Sequence, residues 1–320
     1  MEISASGGDD SQPYSGPATA GVGLGGFRIF AGRGILRMEG PLVCPSRLEK
    51  LLVCTDGSPD SQGAVRGALA LAQPCGSKVF FLQVLEFNPE LEARVPEVVA
   101  IRETEVRNYL ESCRAEAERL EIPAEILVRR SETASLAIVR EAQKIQPDLI
   151  IMGRRGRSRL FRLMMGNVTA RVIGYSPFNV LVVPQGAPLK YQNILVASDG
   201  SPHSYAAWDE ALFITRRMAA SLLAVSVARD EGELEIARTI VERLQKEAGF
   251  QEVPLVTRVL IGSPYEAIVQ AARDTGADLI VMGALGLSGL TSLLMGSVTE
   301  RVIGRSQCPV LVIKLRKQEV

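Results

Sequence analysis

The chain has 320 residues, 47% of them hydrophobic, with 36 basic residues against 36 acidic ones. That length allows about two domains, and a formal charge of zero gives no support for a nucleic-acid binder, which normally carries a basic excess. The single histidine, His203, excludes a His-based zinc site or a catalytic triad repeated in each half.

Residues 1–46 are rich in Gly, Ser, Pro and Ala without a sustained period, and a flexible tail is expected there. Its start, MEISASGGDD, is acidic and has no apolar core, so no secretory signal is expected. No apolar run approaches the roughly 20 residues that span a bilayer, and the expectation is a cytoplasmic protein with no membrane role. Within the tail, Phe27 to Met38 (FRIFAGRGILRM) is apolar and basic, suited to docking on the body or on a partner, and its two glycines argue against a helix. SGGDDS (Ser6 to Ser11) imitates the pyrophosphatase loop of ATP-dependent amidating enzymes. Gly21, Gly23 and Gly26 spell G-x-G-x-x-G. Neither has the preceding strand that such loops need.

From Leu48 the pattern becomes regular. KLLVCTDGS (Lys50 to Ser58) reads as a strand ending in a turn, Ser61 to Gln73 as a helix of small residues, and KVFFLQVLE (Lys78 to Glu86) as a second strand. A charged helix from about Val98 to Leu120, strand PAEILVRRS and helix Ser135 to Gln146 follow. Strand LIIMG, a glycine loop, helix VTARVIG and strand NVLVVP close the half. After a linker near Gln185 to Tyr191 the order returns with NILVASDGS (Asn193 to Ser201), SLLAVSVA, PLVTRVLIG, LIVMG and PVLVIKL, helices lying between them. The predicted domains are 47–186 and 191–317. Strands alternating with helices predict a doubly wound, five-stranded parallel-sheet sandwich in each half, with its crevice beyond the strand C-termini. If the first and fourth strands are neighbours, the DGS turns at Asp56 and Asp199 face the glycine loops across that crevice. The five cysteines are scattered and lack CxxC spacing, so buried free thiols in a reducing compartment are expected.

The glycine segments carry the functional information. LIIMGRRGRSRLFRLMMGNVTARVIG (Leu149 to Gly174) and LIVMGALGLSGLTSLLMGSVTERVIG (Leu279 to Gly304) align without a gap, about 130 residues apart, and mark a duplication. Each has the form G-x2-G-x9-G, through Gly153, Gly156 and Gly166 or Gly283, Gly286 and Gly296. Such a loop lets backbone N–H groups converge on phosphate at a helix N-terminus; the plainer reading is a tight strand–helix connection. No Walker lysine is present, and neither glycine loop contains a carboxylate or histidine to orient water or hold magnesium, so fast ATP hydrolysis is not expected.

A strand ending in DGS, then strand–G-x2-G-x9-G-[ST]–helix and an apolar strand, resembles the universal stress protein family, and the duplication resembles its tandem members. The resemblance covers about 48–184 and 192–316. It implies two tandem Rossmann-like sandwiches of the adenine nucleotide alpha hydrolase-like type, binding ATP or AMP, with magnesium as an optional companion of ATP. In some branches no nucleotide is bound. It assigns Gly283, Gly286, Gly296, Ser297 and Val298 to phosphates and ribose, Asp199 to the ribose or adenine side, and Met282 and Val227 to the base. The first-half counterparts are Gly153, Gly156, Gly166, Asp56, Met152 and Val84, with Asn167 in place of the hydroxyl residue. Asp56 and Asp199 also read as turn formers bonding their own backbone. Arg154, Arg155, Arg157, Arg159 and Arg162 make the first loop either a basic clamp or a solvated surface; the second loop has no basic residue. The resemblance further implies pairing of the halves through NVLVVP and PVLVIKL, with further dimerisation open. The expected role is a non-catalytic, or at most very slowly hydrolysing, stress sensor with an unknown protein partner. The alternatives are a nucleotide-free assembly module and a slow ATPase.

Overall fold

The computed structural model describes residues 28–32, 35–39, 44–87, 96–155, 165–287 and 295–315. Gly156, Arg157, Arg159 and Arg162 lie outside them. The chain divides into two units, 1–40 and 41–320.

In the first unit, β1 (Arg28–Gly32) and β2 (Ile35–Glu39) pair antiparallel, with Gly32 opposite Ile35. The expected flexible tail thus holds two short strands. The glycines that argue against a helix do not argue against two short strands, and Ile29, Phe30, Ile35 and Leu36 favour extended backbone. Apart from residues 44–46, the rest of the tail lies outside the described residues.

The second unit is one ten-stranded sheet. The first half contributes β3 (Lys50–Cys54), β4 (Lys78–Glu86), β5 (Ala124–Ser131), β6 (Leu149–Gly153) and β7 (Val180–Val183). Its helices are α1 (Pro59–Cys75), α2 (Pro96–Arg119), α3 (Ala134–Ile145) and α4 (Asn167–Tyr175). The second half repeats this with β8 (Asn193–Ala197), β9 (Ser221–Ala228), β10 (Leu255–Ile261), β11 (Leu279–Gly283) and β12 (Val310–Ile313). Its helices are α5 (Pro202–Met218), α6 (Leu234–Phe250), α7 (Pro264–Asp274) and α8 (Ser297–Arg305), with a 3-10 turn at Glu231–Glu233. The strand order is β10-β9-β8-β11-β12-β7-β6-β3-β4-β5.

All pairings within a half are parallel, and the first and fourth strands are neighbours: β3 bonds β6, and β8 bonds β11. The halves join where β12 runs antiparallel to β7, Leu311 opposite Leu181. Burial follows strand alternation. Leu51 and Val53 pack with α1, α2, α5 and α6 on one face, and Leu52 and Cys54 with α3, α4, α7 and α8 on the other. Each apolar layer is continuous across the junction. Gly63 and Gly67 let α1 lie against Pro184 and Leu189 of the interdomain linker, where an added Cβ would come within 3.0 Å of the Pro184 carbonyl oxygen and 2.9 Å of Leu189 Cδ1.

The expectation for the cysteines is overturned in part. Cys44 and Cys75 form a disulfide, their Cα atoms 4.7 Å apart, while Cys54 and Cys113 are free and buried and Cys308 is free and half-buried. The chain rises along β3 and returns along α1, which brings Cys75 back beside the residues that precede β3. Linear spacing does not display that return, and the argument from free thiols to a reducing compartment loses its basis. No helix among the described residues is long and apolar enough to cross a membrane.

Candidate functional site

In the second half the switch point between β8 and β11 opens into a cavity of about 450 Å³. The turn after β8 supplies Asp199. Its Oδ1 accepts from Ser201 N at 3.1 Å, the local bond of an Asx turn, while its Oδ2 accepts from Leu287 N at 2.9 Å in the glycine loop. Asp199 is thus a turn former, as one reading expects, and it also bridges the crevice to the glycine loop.

The glycine loop is pinned at both ends. Gly296 N donates to Ala284 O at 2.9 Å, and Thr299 Oγ1 donates to Gly283 O at 2.9 Å, so the loop leaves and rejoins the sheet at one point. The first half repeats both bonds, Gly166 N to Arg154 O at 3.0 Å and Thr169 Oγ1 to Gly153 O at 3.1 Å. The threonine of V-T-[AE]-R is thus the loop's tie, a role the sequence reading missed.

The three glycines differ in what excludes a side chain. At Gly283 an added Cβ would lie 2.7–2.8 Å from backbone and Cβ atoms of His203 on α5, so strand–helix packing alone requires glycine. Gly153 repeats this, with 2.7 Å to Asp60 O. At Gly286 the Cβ would meet the Asp199 carboxylate, the end of a movable side chain. At Gly296 the nearest atom among the described residues would be Ala284 O at 3.4 Å, an ordinary contact, so none of the described residues demands glycine there.

The helix ends at the cavity favour an anion. Gly296 gives α8 no side-chain cap, and the first-turn N–H groups have no intrahelical partner. Ser297, Val298 and Thr299 of that turn line the cavity. So does Pro264, at the start of α7, which also lacks a side-chain cap. By contrast α1 and α5, which follow the DGS turns, are capped by the side chains of Ser58 and Ser201. Val227 and Met282 line the cavity, as do Asp199, Gly283, Gly286 and Gly296, joined by an apolar wall of Ile236, Ile240 and Ile268. The structure thus brings every second-half residue named above to one cavity.

Sequence reasoning missed Arg229 and Glu233. Arg229 follows β9 and lines the cavity, its backbone N donating to Glu233 Oε2 at 2.9 Å. The second loop lacks a base, but the cavity does not. The signal was two residues beyond Val227.

The sequence profile of the Universal stress protein family matches residues 47–184 and 190–314. The chain belongs to the universal stress protein family. It is similar to a universal stress protein of Mycolicibacterium smegmatis, 27% identical over 295 residues, covering 83% of this chain and 97% of that one. A universal stress protein of Methanocaldococcus jannaschii is 35% identical over 145 residues, 40% of this chain and 85% of that one. Among solved structures, a universal stress protein from Archaeoglobus fulgidus superposes with a TM-score of 0.68 at 21% identity, covering 84% of this chain and 98% of that one, a likeness of fold.

The first universal stress protein domain keeps the frame and changes the lining. Asp56 Oδ1 accepts from Ser58 N at 3.0 Å and from Ser58 Oγ at 2.6 Å. Gly166 is the N-cap of α4 and makes no side-chain bond, and Asn167 opens the helix. Met152 is buried in β6, and Val84 is half-buried in β4. Where α6 buries Ala237, Val241, Leu244 and Ala248, α2 buries Val106, Leu110, Cys113 and Ala117. By that alignment the cavity-lining Ala237 and Ile240 become Val106 and Tyr109, both larger. The Tyr109 hydroxyl lies 3.0 Å from Thr55 Oγ1, and burial pushes its pKa up to about 12. At the position of Arg229 stands Glu86, whose Oε1 accepts from Ala134 N at 3.0 Å and so caps α3. One domain thus carries a cation and an open helix end where the other carries a carboxylate and a closed one.

Arg154 is neither a solvated residue nor a clamp within its own domain. Its Nη1 donates to Ser306 O of the second domain at 2.8 Å, and burial holds its pKa below the ordinary value.

Proposed function

We propose that the protein binds an adenine nucleotide, ATP or AMP, in the second-domain cavity, and serves as an occupancy sensor rather than a fast enzyme. The observation that carries this reading is the uncapped N-terminus of α8 opening into a cavity beside Gly296, a glycine that no neighbour among the described residues requires. Phosphate supplies the acceptors that such an end lacks. Asp199 would take a ribose hydroxyl, and Val227, Met282 and the isoleucine wall would take the base. A cavity of about 450 Å³ lies within the usual range of small-molecule sites.

Slow turnover is supported by the chemistry of the lining. Asp199 and Glu233 are already engaged with Leu287 and Arg229, and no group of three metal-ligating side chains occurs among the described residues. Magnesium would arrive on the phosphates of ATP. The larger residues of the first-domain crevice support the second domain as the principal site.

The test is to denature the purified protein and identify released small molecules by mass spectrometry, beside a Gly286→Val, Gly296→Val double variant. Adenine nucleotide released by the wild type alone, with a thermal shift on adding ATP, is expected. Release of none, with no shift, refutes the reading and leaves the nucleotide-free assembly module. Multiple-turnover ADP release at ordinary enzymatic rates refutes the sensor role.

A further inference from the structure

Two long cations cross the junction between the domains, each ending at the C-terminal end of a helix in the other domain. Lys314 Nζ donates to Ile173 O at 2.7 Å in the last turn of α4. Arg154 Nη1 donates to Ser306 O at 2.8 Å, where Ser306 is the C-cap of α8. The far end of α8 is the uncapped turn at the second cavity. A guanidinium at a helix C-terminus offsets the negative end of the dipole and holds the helix along its axis. Ser306 transmits that hold because it is itself fixed: buried, with its N donating to Val302 O at 2.8 Å and its Oγ donating to Cys308 O at 2.8 Å. Nine residues of helix span about 13 Å, so α8 acts as a short stiff rod between the Arg154 contact and the cavity. Arg154 directly follows Gly153 of the first glycine loop, and its own carbonyl accepts from Gly166 N, so its base is fixed to that loop. The second loop has Ala284 at the matching position, and no reciprocal guanidinium exists there.

We propose that Arg154, in the first domain, is a positioning residue for the phosphate-binding end of the second domain's site. The proposal rests on the nucleotide reading above. Through Ser306 and α8 it sets where the N–H groups of Ser297, Val298 and Thr299 stand, and it ties the second site to the first glycine loop. Adenosine, which lacks phosphate, should be indifferent to it.

The experiment is calorimetric titration of ATP and of adenosine into the full chain as wild type, Arg154→Met, Arg154→Lys and Lys314→Met. Arg154→Met should weaken ATP about three- to ten-fold while leaving adenosine unchanged, and Arg154→Lys should recover most of the loss. Lys314→Met cuts the same junction without touching α8 and should leave ATP within about two-fold of wild type. If Arg154→Met does not fold, Arg154→Gln, which keeps a donor without charge, takes its place with the same expected loss. Wild-type ATP affinity in Arg154→Met (or in Arg154→Gln where it stands in) overturns the proposal, as does equal loss of ATP and adenosine, or a Lys314→Met effect as large as that of Arg154→Met. A wild-type chain that binds no ATP refutes the nucleotide reading itself, and the proposal with it.

Discussion

Two glycines three residues apart in one motif should fail in opposite ways. Gly283→Ala places a Cβ 2.7 Å from the His203 carbonyl carbon and 2.8 Å from its oxygen and Cβ. Carbon atoms pack at about 3.5–4.0 Å, so β11 and α5 must separate by about 1 Å. Neither can do so freely, since β11 is bonded on both sides by β8 and β12. Overpacking of this kind costs about 1–3 kcal/mol, and a backbone obstacle puts Gly283→Ala in the upper part of that range. At roughly 2–4 °C per kcal/mol, the midpoint should fall by about 4–12 °C. Among the described residues Gly286→Ala meets only the exposed end of Asp199, which can rotate away at the loss of its bond to Leu287 N. A net cost of about 0.5 kcal/mol follows for so exposed a bond. Urea unfolding at 25 °C and ATP titration separate the two. Gly283→Ala should lose stability yet bind ATP within a few-fold when folded; Gly286→Ala should keep stability and lose more than about ten-fold in affinity. An unchanged urea midpoint for Gly283→Ala, or equal destabilisation by the two variants, would falsify the division between packing glycine and ligand glycine.

Other outcomes follow from single contacts. Tyr109→Phe removes the bond to Thr55 and should cost about 1 kcal/mol in urea unfolding. Because the folded phenol titrates near 12 against an ordinary 10.0, its contribution is intact below pH 10 and is lost as pH rises towards 12, which absorbance titration of the tyrosines can follow. Glu141, held below the ordinary carboxylate range by its bond from Arg129 and aided by Lys144, behaves oppositely. Its contribution is present above the ordinary value and lost as pH falls through the depressed one. Glu141→Gln should therefore destabilise by about 1–2 kcal/mol at pH 7, with the gap to wild type closing as pH falls below the depressed value in paired urea titrations. Cys44→Ser, or dithiol reduction of the wild type, should lower stability by about 3–4 kcal/mol on the chain-entropy estimate for a sequence separation of 31, measured as the difference between oxidised and reduced unfolding curves; identical curves would refute the linkage.

The strands and the two glycine loops were legible because their signals are local. Leu51 to Cys54 is a continuous apolar run, as a strand buried on both faces must be, and Asp-Gly-Ser is a turn by composition. The switch point followed from topology, so Asp199 and the distant Gly286 could be brought together before any coordinate. What was not legible depends on contacts between segments that carry no mutual mark. Arg229 and Glu86 look alike as charged residues after a strand, and only α7 and α3 show that one leaves a helix end open and the other closes it. Tyr109 is one polar aromatic on a charged helix until α2 is laid over Thr55. Arg154 belonged to an arginine cluster whose neighbours suggested a common role, whereas its target, Ser306, lies 152 residues away in the other domain. The β1–β2 pair was missed because the glycines were weighed only against a helix.

The antiparallel seam of β7 and β12 has a consequence for how such a molecule can change over time. Two separate copies joined at that edge would associate only as fast as their abundance allows, and a damaged copy would compete with intact ones. Fused in one polypeptide, each domain meets its neighbour at an effective concentration fixed by the tether, independent of expression. One domain can then fill its crevice with a tyrosine and trade an arginine for a glutamate without losing its place. Its β7 edge still holds the other domain through the antiparallel seam.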